Sequence, residues 1–138
     1  MRIAQHVIDA VVAHARQAAP AECCGVLLGR GVDIVGVVRA RNIADAPASR
    51  FLIDPKDHFD ARREARRAGV DVVGFYHSHP RTAAAPSPAD AAEATYPDHL
   101  YVIVSLAGAV PDVRLYRLTE GTFCAVRFDA YNGIGSSS

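Results

Sequence analysis

Val70-Asp71-Val72-Val73-Gly74-Phe75-Tyr76-His77-Ser78-His79-Pro80 is the stretch on which the reading of this chain turns. Its first seven residues form a short apolar run rich in β-branched and aromatic side chains, the composition of a buried strand. Gly74 inside that run marks the close approach of another backbone. Residues i and i+2 of a strand face the same side, about 7 Å apart along the chain, so His77 and His79 leave the strand's end on one face. Pro80 and Pro86 then bracket an Ala-rich loop. Ser87-Pro88-Ala89-Asp90 opens a short helix predicted from Pro88 to about Ala94.

Upstream, Asp54 can cap a helix with Pro55 at its first position and Gly69 just past its end. Arg62, Arg63, Arg66 and Arg67 crowd its last turns, where cations oppose the helix dipole. The plain reading of that cluster is a solvated face; the alternative is a docking surface for an acidic partner. Further back, Phe51–Ile53 reads as a short strand and residues 40–50 as a loop. Cys23–Gly29 and Val32–Val38 read as a hairpin turning at Gly31. Ile3, Val7, Ile8, Val11, Val12 and Ala15 recur at helical spacing, a first helix that ends before Pro20. Downstream, Leu100–Leu106, Val113–Leu118 and Phe123–Phe128 supply three more strands. Three helices interleaved with about seven strands predict an α/β (α+β) fold, a mixed central sheet flanked by helices. Residues 1–130 form the single expected domain, and 131–138 a flexible tail.

The bulk numbers narrow the function classes. The chain has 138 residues, is 50% apolar and 22% charged, and balances 15 basic against 15 acidic side chains. A net charge of zero argues against an undirected nucleic-acid or anionic-membrane binder, whose affinity comes from excess positive charge. No stretch approaches the roughly 18 apolar residues of a membrane span, and the N-terminus lacks the continuous apolar core of a signal peptide. Three cysteines, two of them adjacent (Cys23, Cys24), make a poor disulfide framework and fit a reducing cytoplasm. Cys23, Cys24 and Cys124 read as buried strand cysteines.

Two imidazoles at a strand end and a carboxylate on the first turn of the next helix are able to converge on one ion, because Zn–N bonds are only about 2.0–2.1 Å. Three protein ligands leave a fourth position for water, as in catalytic zinc sites. Each piece also has a plain reading. A His-x-His pair alone is usually a surface or hydrogen-bonded pair. Ser87-x-x-Asp90 resembles a capping box, with Ser87 as N-cap and Asp90 at the third helical position. A capping serine would also fix where Asp90 points, so the two readings are compatible. His6, His14, His58 and His99 read as surface or satisfied histidines.

The whole pattern is more specific than its pieces. His77-Ser78-His79-Pro80, the loop to Pro86, then Ser87-x-x-Asp90 resembles the signature of the JAMM/MPN+ metalloprotease family. That family also carries an upstream glutamate in a Glu-x-Cys-Gly-x-Leu-x-Gly setting, which here reads Glu22-Cys23-Cys24-Gly25-Val26-Leu27-Leu28-Gly29. The resemblance spans nearly the whole chain. It implies an MPN/JAMM-like fold, related to the cytidine-deaminase-like architecture, with one Zn²⁺ per chain held by His77, His79 and Asp90. It further implies Glu22 as the proton-transfer base and Ser87 as a hydrogen-bond donor to the developing oxyanion. The implied activity is hydrolysis of peptide or isopeptide bonds. The compact chain is more similar to stand-alone prokaryotic members, which implies a ubiquitin-like or sulfur-carrier protein as partner, with an extended Gly-rich tail lying along an exposed strand edge. Neither nucleic acid nor membrane is expected, and a homodimer through a strand edge or the first helix is open. The alternatives are a small-peptide or cell-wall-fragment hydrolase and a non-catalytic scaffold. A zinc deaminase would need His-x-Glu and Cys-x-x-Cys, which the chain lacks.

Overall fold

The central strands are apolar on both sides, so the sheet they form needs cover on each face, and the two long helices supply it. In a computed structural model, which describes residues 1–93 and 96–132, the elements run β1 Arg2–Ala4, α1 Gln5–Ala18, β2 Cys24–Arg30, β3 Asp33–Ala40, α2 Pro55–Ala68, β4 Asp71–His79, α3 Pro88–Glu93, β5 Leu100–Ser105, β6 Asp112–Thr119, β7 Thr122–Val126 and β8 Asp129–Tyr131. The strands make one mixed sheet in the order β7-β6-β5-β4-β2-β3-β1-β8. Side-chain alternation sorts the core into two halves. Leu27, Tyr76, Val102 and Val104 pack with Val7, Val11 and Ala15 of α1 on one face. Val26, Leu28, Phe75 and Tyr101 pack with Ala61 and Ala65 of α2 on the other. His77 and His79 share the parity of Phe75 and so emerge on the α2 face.

Strand β4 lies in the middle, antiparallel to β2 and parallel to β5. A parallel pair cannot be joined by a tight turn and needs a crossover. That crossover leaves β4 at His79 and carries α3, so Ser87 and Asp90 return over the carboxyl end of β4, where ligands gather in α/β sheets. The antiparallel register sets Cys24 opposite His77, which brings Glu22 to the same end. Helix α2 starts where Asp54 accepts a hydrogen bond from the Lys56 N–H at 2.9 Å. It stops at Gly69, whose φ of 73° is the left-handed cap that glycine adopts without strain.

Gly74 is where two backbones meet. A β-carbon there would collide with the carbonyl of Leu100 on β5. Gly74→Ala should therefore push β4 from β5, with an overpacking cost of about 1–3 kcal/mol or more. Urea unfolding should show a lowered midpoint with an unchanged slope; a midpoint equal to wild type would mean that the strands part freely.

The structure departs from the sequence expectations at five places. Ile3 does not begin the first helix: Arg2–Ala4 is a strand pairing in parallel with β3 and β8, and the helix starts at Gln5. Ile3 continues the buried stripe of Val7 and Val11, so periodicity alone cannot separate strand from helix there. Phe51–Ile53 is no ladder strand, only one bridge from Ile53 to Asn42. The last predicted strand ends at Val126 and a further strand, β8, follows, making eight among the described residues. Tyr131 belongs to β8 and carries the Arg2 guanidinium over its ring, 4.3 Å from the centroid, so the tail does not begin at 131; residues 133–138 lie outside the described residues, as does Ala94. Cys124, on the edge strand β7, is exposed, whereas Cys23 and Cys24 are buried. Among the described residues no helix is long and apolar enough to cross a membrane.

Candidate metal centre

Four polar side chains are buried together at the carboxyl end of β4. Glu22, His77, His79 and Asp90 each offer a ligand atom, all within 4.8 Å of one another. His77 Nε2 lies 3.1 Å from His79 Nε2 and 3.1 Å from Asp90 Oδ1, and His79 Nε2 lies 3.0 Å from Asp90 Oδ2. The five residues singled out in the sequence thus fall on one site, with Ser87 bonded to Asp90.

The hydrogen bonds around the cluster say what would sit within it. His79 Nδ1 is 2.7 Å from the Ala83 carbonyl, and a carbonyl only accepts, so Nδ1 carries the proton. In the neutral ring Nε2 then presents a lone pair, and it faces the carboxylate and the other imidazole. Acceptors packed this closely repel one another unless a cation lies between them. Donors about 2.0–2.1 Å from a tetrahedral ion sit roughly 3.3 Å apart, close to the spacings here. Two imidazoles and a carboxylate therefore fit a divalent cation. A second buried oxygen, Glu22 Oε1, lacks any hydrogen-bond partner, as does His77 Nδ1.

The electrostatics follow from burial. Burial pushes the Glu22 carboxyl up to about 7, opposed by His79 and reinforced by Asp90. For Asp90, burial alone would raise the carboxyl, yet the imidazoles of His77 and His79 beside it outweigh burial and hold the group far below the usual carboxylate range. Burial lowers His77 despite Asp90 beside it. Burial also disfavours the charged His79, but Asp90 and the Ala83 carbonyl more than reverse that.

Each side chain has an identifiable support. Ser87 and Asp90 form a reciprocal cap: the Ser87 N–H donates to Asp90 Oδ2 at 2.9 Å, and the Asp90 N–H donates to Ser87 Oγ at 3.0 Å. The capping reading and the ligand reading are both realised by the same atoms, and the Ser87 hydroxyl proton stays available to donate. Glu22 is held by its backbone: its N–H donates to the Pro47 carbonyl at 2.7 Å, and Asn42 Nδ2 donates to its carbonyl at 3.1 Å. Ser78 joins the two halves of the site, its Oγ accepting from the Cys23 N–H at 2.8 Å. Phe51 stacks on His77 with centroids 4.3 Å apart.

The sequence gives Asn42, Ser78 and Phe51 no role in the site. Ser78 carried a usable signal: period-2 alternation turns it away from His77 and His79, so it must serve the other face. Asn42 and Phe51 carried none, since both lie in or beside a loop whose path only folding sets. Beside the cluster opens a cavity of about 240 Å³, walled by aromatic rings of Phe51, Phe75, Tyr96 and Tyr101 and by His58, and lined also by His77 and Asp90 of the cluster. His58 is therefore part of the site's wall.

Comparison with known proteins converges on one family. Residues 4–119 match the family described as prokaryotic homologs of the JAB domain. The chain is 36% identical over 115 residues to a desampylase of Haloferax volcanii, covering 78% of this chain and 82% of that protein. It is 33% identical over 115 residues to a probable TtuB-protein conjugate cleaving protease of Thermus thermophilus, covering 83% and 74%. It is 35% identical over 117 residues to a CysO-cysteine peptidase of Mycobacterium tuberculosis, covering 83% and 80%. Among solved structures, a protein from Desulfitobacterium hafniense superposes with a TM-score of 0.85 at 31% identity, covering 94% of this chain and 92% of that one. A JAB1/MPN domain protein from Archaeoglobus fulgidus, at 18% identity and a TM-score of 0.63 over 95% and 96%, shares the fold.

Proposed function

Since the chain belongs to the prokaryotic JAB-domain family, we propose that it is a zinc-dependent hydrolase acting on a peptide or isopeptide bond at the C-terminus of a ubiquitin-like or sulfur-carrier protein. The observation that carries this reading is the convergence of two imidazoles and a carboxylate, with an unpartnered buried glutamate beside them. The names of the relatives, which concern ubiquitin-like and carrier conjugates, support the substrate class.

His77, His79 and Asp90 would hold the ion and Glu22 would stay off it. Zinc in that place supplies Lewis acidity, polarising a carbonyl and acidifying water at neutral pH. Glu22 takes a proton from the attacking water on its free oxygen. It then hands that proton to the leaving nitrogen as the C–N bond breaks, so water is consumed and acid and amine are released. The Ser87 hydroxyl donates to the carbonyl oxygen as negative charge builds there, and a buried site strengthens that bond. Strand β4 is hydrogen-bonded on both sides and offers no edge. A side-chain-free Gly-rich tail would reach the cluster along the extended segment 51–53. Two buried, unpaired cysteines fit the reducing cytoplasm in which we place the protein.

Metal-loaded protein incubated with sulfur-carrier proteins extended beyond their tails should yield shortened carriers by mass spectrometry. Intact masses throughout would overturn the substrate assignment. Ser87→Ala should keep the metal, lower kcat by about 10²-fold as one oxyanion donor is lost, and cost about 1 kcal/mol of stability through the lost cap. Steady-state kinetics beside metal analysis checks this; an unchanged kcat would confine Ser87 to capping.

A further inference from the structure

The exposed surface of α2 divides into two unlike stripes. On one, Lys56 pairs with Asp60 at 2.9 Å and Arg67 with Glu64 at 3.2 Å, so the charges neutralise each other. The other runs from the cavity side outward, in the order Arg62, Arg66, Phe59, Arg63 at about 100° per residue. All four are exposed, and among the described residues none of these three arginines forms an ion pair. The helix dipole accounts for Arg66 in the last turn, but not for Arg62 and Arg63 before it. Those two lie over aromatic rings, Arg62 over Tyr96 at 5.7 Å and Arg63 over Phe59 at 5.9 Å. Phe59 is 63% exposed. Arginine and exposed aromatics together are what protein interfaces concentrate.

This stripe is continuous with the reacting centre. Arg62 donates to His58 Nε2 at 2.9 Å, and His58 and Tyr96 wall the cavity that His77 and Asp90 also line. An extended tail of about five residues spans roughly 17 Å at most. A folded partner whose tail ends at the cluster must rest its body within that reach. The stripe begins at the cavity wall and is only about 10 Å long from Phe59 to Arg66.

We propose that this face of α2 docks the folded body of the carrier protein through an acidic patch beside the carrier's tail; the proposal rests on the reading of the chain as a carrier-tail hydrolase. Phe59 supplies the apolar contact, and Arg62, Arg63 and Arg66 select the charge of the partner. The stripe acts on association and not on bond cleavage, because charges at an interface rim govern encounter and its salt dependence.

The test uses ubiquitin-fold carriers with one and the same tail on an acidic body and on a basic body, together with the isolated tail peptide. Substrates are cleaved by the metal-loaded wild type and by Arg63→Glu/Arg66→Glu, whose two sites do not line the cavity. Wild type should show kcat/KM at least tenfold higher on the acidic body, with the preference eroded by added salt. The variant should lose that preference through KM, at unchanged kcat, while cleaving the tail peptide as wild type does. Arg63→Gln/Arg66→Gln, which adds no repulsion, should fall between them. Equal kcat/KM on both bodies, or a preference that survives in the variant, would overturn the docking surface and leave the hydrolase reading standing. No cleavage of any of these substrates by wild type would overturn both.

Discussion

His77→Ala should abolish metal retention and reduce hydrolysis to background. The expectation follows from the closeness of the cluster. His77 Nε2 touches both His79 Nε2 and Asp90 Oδ1 at 3.1 Å, so its loss leaves two ligands and an opening where the ring had been. Two ligands are too few for the three-ligand arrangement of a catalytic site. Without the ion, Lewis-acid help worth several kcal/mol at the carbonyl disappears, and every 1.36 kcal/mol is tenfold in rate. A loss of at least about 10³-fold is the consequence. The ring is fully buried and stacks on Phe51, so the variant will also be less stable, and a chelator control keeps the two effects apart. Wild type stripped of metal should lose activity and melt earlier, because an ion that binds only the native state stabilises it by mass action. Returning zinc should restore both activity and Tm in wild type and neither in the variant. Stoichiometric metal in His77→Ala by elemental analysis, with turnover intact, would remove His77 from the ligand set.

The second large effect is expected from Glu22→Gln, and it has the opposite metal signature. The substitution keeps size and shape, and Glu22 is not needed to complete the ligand set, so zinc should remain at one per chain. What disappears is a base. Positioned proton transfer contributes about 10²–10⁴-fold, and kcat should fall by that range with KM little changed. Stability supports the interpretation. In the metal-free protein burial pushes the Glu22 carboxyl up to about 7, so a neutral amide removes an unfavourable buried charge and the Tm of the metal-stripped variant should hold or rise. An inactive, metal-replete, stable variant is the result that fits. Turnover within tenfold of wild type would transfer the proton-handling role to some other group.

Local periodicities oriented the pieces of the site, and the resemblance of the whole pattern to a known family, not any one piece, singled out Glu22, His77, His79, Ser87 and Asp90 together. Alternation put His77 and His79 on one face, and the capping pattern of Ser87 and Asp90 fixed the first turn of α3 before any fold was considered. Gly74 announced a close backbone approach, and Leu100 is the backbone it meets. Charge patterning exposed the arginines of α2 as a group. The apolar stripe of the N-terminal segment was read correctly as buried and incorrectly as wholly helical, since Ile3 satisfies both periods.

What tertiary structure alone decided is everything that joins distant segments. Glu22 acquires its place because β2 pairs antiparallel with β4, setting Cys24 against His77, and because Asn42 and Pro47 clamp its backbone; as a lone residue it is indistinguishable from a solvated acid. Ser78 becomes the link between those strands only through that register. The aromatic cavity draws on β4, β5, β7, α2, α3 and two loops, and no local pattern announces that these segments meet. Local sequence sets which way each side chain points, through steric and hydrogen-bonding preferences a few residues long. Which of those side chains meet depends on sheet register and crossover, and these are settled by the burial of both faces of the sheet together.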